Sequence, residues 1–441
     1  MPRLFGTDGI RGVANKELTP DLTLALGRAA GLVLAPGGAV VVGRDTRVSG
    51  PMLQAALVAG LCSAGVRVRL AGIVPTPAVA WLTVADKANA GAVISASHNP
   101  VPDNGIKFFS DEGFKTTTET EDRIEATMQS DDLDLPVGTE VGSVEPIEDA
   151  LDRYADHLVA SVEGSLGGLK VVLDCACGAA WAAGPRAFRQ AGAEVVVIND
   201  DPDGTRINVG CGSTDLSSLA RCVVSEGAQI GLAFDGDADR VLAVDERGEH
   251  VDGDRLLGLT ATHLSDNGQL DNGIVVATVM SNLGFKRALE ERGISVVLAP
   301  VGDKYVAEAM AQHGAVLGGE QSGHVILGRH STTGDGILTG LQSAAIVAGS
   351  SRPLSELAHF FEPFPQVLIN VDVAAKHTLE SNEELWEEVR AAEKALGDDG
   401  RVLLRASGTE PLVRVMVEAA DPATAESVAE GLAGSVRRHL N

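Results

Sequence analysis

Hydrophobic positions along the chain fall into short β-branched runs. A glycine-rich or polar turn follows each run, then a helical stretch ending in glycine, then a second apolar run. The pattern occurs three times. The first copy is AVVVGRDTRVSG (39–50), a helix through LQAALVAGLCSAG (53–65) and VRVRLAG (66–72). The second is LKVVLDCACG (169–178), AFRQAG (187–192) and AEVVVIND (193–200), and the third is GIVVATVMSN (273–282), GFKRALEERG (284–293) and ISVVLAP (294–300). Gly65, Gly192 and Gly293 sit where a helix would end in a C-cap glycine. These are βαβ units, and a short crossover helix makes the strands it joins parallel. Three copies spaced by about a hundred residues predict three similar α/β domains in series. The last segment reads differently. QVLINVDV, a helix from Glu383 to Ala395, RVLLRASG, LVRVMVEA and a helix from Ala423 to Arg438 predict a smaller C-terminal α+β domain. The domain expectation is therefore 1–150, 151–255, 256–365 and 366–441. The acidic, turn-rich segment Asp111–Glu145 is expected as the first linker and HFFEPFPQ near Pro363 as the last.

Length supports several domains, since 441 residues exceed one hydrophobic core. A composition of 44% hydrophobic, 22% charged and 3% aromatic residues with 51 glycines excludes disorder and collagen-like repeats. Thirty-five Lys and Arg against sixty-one Asp and Glu leave a net charge of −26, which argues against nucleic acid or an anionic membrane as partner. An anionic ligand therefore needs a local basic pocket. No run reaches the roughly 18 apolar residues of a membrane span, and MPRLFGTDGIRG lacks a signal peptide's apolar core, so a cytoplasmic location is expected. The five cysteines do not predict a disulfide framework. Cys175 and Cys177 lack zinc-site spacing and read as packing residues. No GxxxxGK[ST] occurs, and GCGSTD at Gly210 breaks the dinucleotide pattern at its last glycine. His157, His263 and His313 fall on expected helices as structural or exposed residues.

Four loops carry candidate chemistry. GAVISASHNPVPDNGIKFF places Ser97 just beyond an apolar strand, with His98, Asn99 and Lys107 nearby. The Ser97 hydroxyl can serve as nucleophile or phosphate carrier, with His98 or Lys107 supplying charge and proton transfer. In GLAFDGDADRVLAVD, Asp235, Asp237 and Asp239 recur at period two, so in extended backbone all three carboxylates face one side and need a cation. Oxygen-only ligands favour Mg²⁺ or Ca²⁺ over zinc, and phosphate at the same site favours Mg²⁺. An EF-hand is excluded because Arg240 stands at the position of its turn glycine and strands flank the loop. LGGEQSGHVIL offers Glu320, Ser322 and His324 to a sugar. RASGTEPLVRV sets Arg405, Ser407, Gly408, Thr409 and Arg414 around a turn suited to a phosphate. Taken singly, each loop also fits an ordinary polar turn or hairpin.

Together the motifs resemble the α-D-phosphohexomutase family, over the whole chain and in the family's order. They are FGTDGIRG (5–12), ISASHNP (94–100), DGDADR (235–240), GEQSGH (319–324) and RASGTEP (405–411), and the first, fourth and fifth resemble the branch acting on glucosamine phosphates. The resemblance implies four domains around a central cleft: domain I with a phosphoserine loop, II with a metal loop, III with a sugar-binding loop and IV with a phosphate-binding loop. It implies that Ser97 carries the catalytic phosphate and that Asp235, Asp237 and Asp239 hold Mg²⁺ with it. Arg11, His98 and Lys107 would surround the transferring phosphate. Arg240, Glu320, Ser322 and His324 would contact substrate, and Arg405, Ser407, Gly408, Thr409 and Arg414 would bind the distal phosphate. The implied reaction interconverts glucosamine 6-phosphate and glucosamine 1-phosphate through a 1,6-bisphosphate, which also serves as activator and whose product feeds UDP-N-acetylglucosamine and cell-wall synthesis. A kinase or slow self-phosphorylation would first load Ser97. The alternatives are a sister mutase acting on glucose or mannose phosphates and a non-catalytic phosphosugar or Ca²⁺ binding module. Two departures from the family pattern are Cys177, where relatives usually carry Asn, and GDKYV at Gly302.

Overall fold

The computed structural model describes residues 3–6, 8–350, 352–407 and 412–440. The three βαβ copies form as expected, and Gly65, Gly192 and Gly293 each follow a helix with φ of 80°, 101° and 77°. Only glycine takes that left-handed turn without steric cost. The parallel strands Ala39–Arg44, Lys170–Asp174 and Ile274–Thr278 are almost wholly buried along their length. That burial explains why they read as continuous apolar runs rather than as alternation.

Each of the first three sheets is mixed, and all three share one plan. In the first, Ala39–Arg44 lies between parallel Arg67–Ile73 and Ala90–Ile94, and Asp103–Ser110 then pairs antiparallel with Ala90–Ile94. In the second, Lys170–Asp174 lies between parallel Glu194–Ile198 and Ile230–Phe234, and Val241–Asp245 turns back antiparallel to the latter. In the third, Ile274–Thr278 lies between Ser295–Ala299 and Leu317–Gly319, and Val325–Leu327 turns back antiparallel. Three candidate loops thus occupy one topological position, the turn at the C-terminal end of the third parallel strand. Ser97, the Asp235–Asp239 run and the Glu320–His324 run all sit there. The fourth sheet is three-stranded and antiparallel, in the order Gln366–Asp372, Leu412–Ala419, Gly400–Ala406. Helices Glu383–Leu396 and Pro422–Leu440 complete this smaller domain, and Val389, Leu432 and Val436 join Val413, Val415 and Val417 in its core.

The expected linker 111–145 is corrected. Thr118–Met128 is a helix, capped by the Thr117 side chain and carrying Glu119 and Glu121 in its first turn, and Ile124 is buried in the first domain's core. Val144–Pro146 then adds a parallel edge strand beside Arg67–Ile73. By internal contacts the chain divides into two compact units, Met1–Thr278 with Ile294–Phe360, and Val279–Gly293 with Phe361–Asn441. No helix among the described residues is long and apolar enough to cross a membrane.

Candidate active site

Ser97 follows strand Ala90–Ile94 in left-handed backbone, φ 52°, and is 1% exposed. Its amide N–H donates to Ser95 Oγ at 2.9 Å, and that hydroxyl donates to the buried Asp45 at 2.6 Å. Its own hydroxyl donates to Asp235 Oδ2 at 2.5 Å, and His98 Nδ1 lies 3.3 Å from Ser97 Oγ. The nucleophile candidate of the first domain and the carboxylates of the second therefore meet directly.

Asp235, Asp237 and Asp239 each present an oxygen within 4.8 Å of the other two. They converge by a different route from the one the period-two spacing suggests. The segment is a turn with Ala238 at φ 57°, not extended backbone, so local turn geometry rather than strand alternation gathers the carboxylates. Strands flank the turn, as the rejection of an EF-hand requires. Asp237 Oδ1 and Asp239 Oδ1 are buried without a hydrogen-bond partner. Crowded oxygen donors with orphaned lone pairs are what a hard divalent cation satisfies, so these residues fit such an ion.

Cations crowd the same place. Lys107 Nζ reaches Asp237 Oδ2 at 2.9 Å and Asp239 Oδ2 at 3.2 Å. Thr76 Oγ1 donates to Asp237 Oδ2 at 2.5 Å. Arg11 donates to Asn99 Oδ1 at 3.1 Å and pairs with Asp8, which also pairs with Lys115. Lys115 pairs in turn with Asp303, whose carboxylate stands 3.5 Å from His324 Nε2. Arg240 donates its backbone N–H to Asp235 Oδ1 at 3.2 Å and bridges by backbone to His324. In the third domain Glu320 accepts from Gly302 N at 3.1 Å and from Ser322 Oγ at 3.4 Å. His324 is 1% exposed, and neither ring nitrogen has a hydrogen-bond partner among the described residues.

The electrostatics follow from that crowding. Burial raises the Asp235 carboxyl, and the Asp239 and Asp237 charges lift it further, well above the usual range. Burial works against the Lys107 ammonium, yet Asp237, Asp8 and Asp239 outweigh it and hold its pKa well above the ordinary value. Asp8 is likewise penalised by burial but is pulled well below the carboxylate range by Lys107, Lys115 and Arg11. Burial, then the Arg240 and Arg11 charges, push His98 down to about 4.

In the small domain, Arg405 and Arg414 are direct cross-strand partners, so their side chains leave one face of the sheet. Ser407 follows the strand and is buried, and its carbonyl accepts from Lys376 Nζ at 2.9 Å. Gly408 and Thr409 lie outside the described residues. Sequence reasoning overlooked Lys376, Lys115, Asp303, Thr76, Asp45, Arg47 and Asn208. Asp8 was inside a quoted motif, but only its three cationic neighbours single it out.

Fold and site together define a four-domain phosphohexomutase architecture. The phosphoglucomutase/phosphomannomutase models for α/β/α domains I, II and III match residues 2–134, 152–248 and 252–364, and the C-terminal domain model matches 368–435. The chain belongs to this family. A curated relative from Moorella thermoacetica, 52% identical over 437 residues and 98% of each chain, bears the name phosphoglucosamine mutase. So does one from Streptomyces griseus, 54% identical over 451 residues and 100% of each chain. Among solved structures, a phosphoglucomutase/phosphomannomutase family protein from Burkholderia thailandensis is 28% identical with a TM-score of 0.85, covering 100% of this chain and 98% of the other.

Proposed function

We propose that the chain is a phosphoglucosamine mutase, an isomerase that moves a phosphoryl group between O6 and O1 of glucosamine phosphate by way of phospho-Ser97. The observation that carries this reading is the 2.5 Å bond from Ser97 Oγ to Asp235, at the edge of a three-carboxylate group contacted by Lys107 and Arg240. The full-length relatives of that name support it.

In the proposed cycle the Ser97 O–P bond breaks as a new P–O bond forms to the 1-hydroxyl of glucosamine 6-phosphate. Reoriented, the resulting 1,6-bisphosphate returns its 6-phosphate to Ser97 Oγ and leaves glucosamine 1-phosphate. Asp235, Asp237, Asp239 and the seryl phosphate would hold Mg²⁺, which when bound supplies charge neutralisation for phosphoryl transfer. Lys107, held as an ammonium by its carboxylate partners, acts as a fixed positive charge rather than as a base. His98 is a free base at neutral pH, 3.3 Å from Ser97 Oγ, and is the better placed of the two to take the hydroxyl proton. Arg11 orients the loop through Asn99, while Arg240, Glu320, Ser322 and His324 are the sugar-facing groups. Arg405, Ser407, Gly408, Thr409 and Arg414, joined by Lys376, form the phosphate-binding group of the C-terminal domain. The bisphosphate, a kinase or self-phosphorylation loads Ser97, and the proposal keeps the cytoplasmic location.

Phosphorus NMR of glucosamine 6-phosphate with Mg²⁺ and a trace of sugar 1,6-bisphosphate tests it, with glucose 6-phosphate run in parallel. The expected result is a 1-phosphate signal growing faster from the amino sugar. Faster conversion of the glucose compound moves the chain to the sister branch, and no conversion of either overturns the mutase reading.

A further inference from the structure

Ser97 pays a conformational cost to be where it is. Left-handed backbone costs a non-glycine residue about 1–2 kcal/mol, and such strain persists only where the surroundings over-determine it. Two side chains outside every recognised motif residue converge on the carbonyls around it. Arg47 is fully buried, and its side-chain N–H groups all find acceptors. Nη2 donates to Ser97 O at 3.0 Å and Asn99 O at 2.7 Å, Nη1 to Pro100 O at 2.7 Å and Asp103 O at 2.9 Å, and Nε to Asp45 Oδ2 at 3.0 Å. Asp45 is the same carboxylate that, through Ser95, anchors the Ser97 amide. From the second domain, Asn208 Nδ2 donates to Ser97 O at 2.9 Å and to Asn99 O at 3.3 Å.

The backbone of Ser97 is thereby tied at both ends: its N–H has one acceptor and its carbonyl two donors. Only Oγ is left to the chemistry. A buried guanidinium with a single carboxylate partner is expensive to desolvate, and here four loop carbonyls offset the cost. General loop stabilisation would be met more cheaply by a turn hydrogen bond. What this arrangement achieves in addition is a fixed direction for one hydroxyl.

We propose that Arg47 and Asn208 are positioning residues for phosphoryl transfer, holding Ser97 in its left-handed conformation so that Oγ is aimed at the Asp235–Asp239 group. The inference rests on Ser97 being the phosphate carrier. A misplacement of about 1 Å at a reacting atom costs roughly a hundredfold in rate, so even a partial release of the loop is measurable.

The test uses Asn208→Gly, because Asn208 sits at φ 61° and glycine takes that backbone without strain while removing only the amide. Arg47→Lys is the second variant, keeping a charge beside Asp45 but losing the fork. Each protein is loaded with sugar 1,6-bisphosphate, phospho-Ser97 is quantified by intact mass, and transfer to glucosamine 6-phosphate is followed by rapid quench. The expected result for Asn208→Gly is a melting temperature near wild type, an unchanged KM, and kcat per phosphoserine lower by about tenfold or more. Arg47→Lys should show the same split with a larger drop. Wild-type kcat per phosphoserine in Asn208→Gly, or a loss that only tracks the unfolded fraction, overturns the positioning role. Absence of phosphate on Ser97 in the wild-type chain would instead sink the carrier reading, and this inference with it.

Discussion

Lys107 Nζ lies 2.9 Å from Asp237 Oδ2 and completes an ion pair between two sheets, since Lys107 is on strand Asp103–Ser110 and Asp237 is on the turn after Ile230–Phe234. Both groups are almost fully buried. The ammonium and a divalent cation draw on the negative charge of the same carboxylates, so they compete. Lys107→Met should cost about 3–5 kcal/mol in metal-free buffer, because it leaves buried carboxylates uncompensated. Mg²⁺ should restore more of this loss than it adds to the wild type, as ligand binding to the folded state stabilises it. Thermal melts with EDTA and with Mg²⁺ decide the matter, and an equal Mg²⁺ shift in both proteins would contradict the competition.

The Ser97–Asp235 contact carries the second expectation. Ser97→Ala should take up no phosphate and lose mutase turnover while melting within about 1–3 kcal/mol of the wild type, the cost of leaving one buried acceptor unpaired. Asp235→Asn keeps the shape and removes a charge from the carboxylate group. Its turnover should fall roughly 10²–10³-fold, matching the several kcal/mol a metal contributes to transition-state charge. Steady-state assays at saturating Mg²⁺ check both.

Gly236 separates the first two metal-loop aspartates, and a Cβ there would stand 2.6 Å from Ser97 O and 3.0 Å from Asn208 Nδ2. The first neighbour is backbone and cannot yield cheaply. Gly236→Ala is expected to destabilise by about 1–3 kcal/mol and to cut turnover further than that loss explains, because the displaced atom belongs to the residue bearing the nucleophile. Urea melts beside kcat measurements separate the two effects. Unaltered kcat would show that the loop tolerates displacement.

Asp335 gives a pH dependence of defined sign. It is buried, caps helix Gly336–Gly349 through Leu338 N at 2.9 Å, and accepts from Tyr154 Oη at 2.7 Å. Burial raises its pKa to about 6 from 3.8, against the opposing pull of those hydrogen bonds. A carboxyl with a raised folded-state pKa binds its proton more tightly when folded, so its stabilisation is full below about pH 4 and is lost as pH rises through about 6. The loss is on the order of 3 kcal/mol. Asp335→Asn keeps a cap and a partner for Tyr154 but does not titrate, so its stability relative to wild type should improve between pH 4 and pH 7. Parallel denaturant melts at both pH values measure this, and an identical pH slope in the two proteins would refute it.

Part of this architecture is legible residue by residue. Apolar runs such as AVVV and IVVAT announce buried parallel strands, and the glycines after the helices mark their ends, because burial on both faces and left-handed φ are local demands. The helix Thr118–Met128 escaped notice for an equally local reason. Its surface is acidic and Ile124 alone among its apolar residues is fully buried, so it reads as a turn, although Glu119 and Glu121 suit the positive end of a helix.

The sequence by itself determined the chemistry on offer: a serine beyond a strand, three aspartates at period two between strands, a Glu-Ser-His run and a pair of arginines, in the order of a known family. Tertiary structure alone decided who meets whom. The repeated sheet plan puts three loops at equivalent turns, and only that placement brings Ser97 to Asp235, Lys107 to Asp237 and Asn208 to the Ser97 carbonyl. Their separations run from 111 to 138 residues. Contacts at such range depend on strand order and register, which are set by the packing of whole sheets rather than by any neighbouring residue. The turn that gathers the aspartates, the strain at Ser97 and the raised pKa of Asp235 are consequences of that packing, since burial and crowding exist only once the chain has folded.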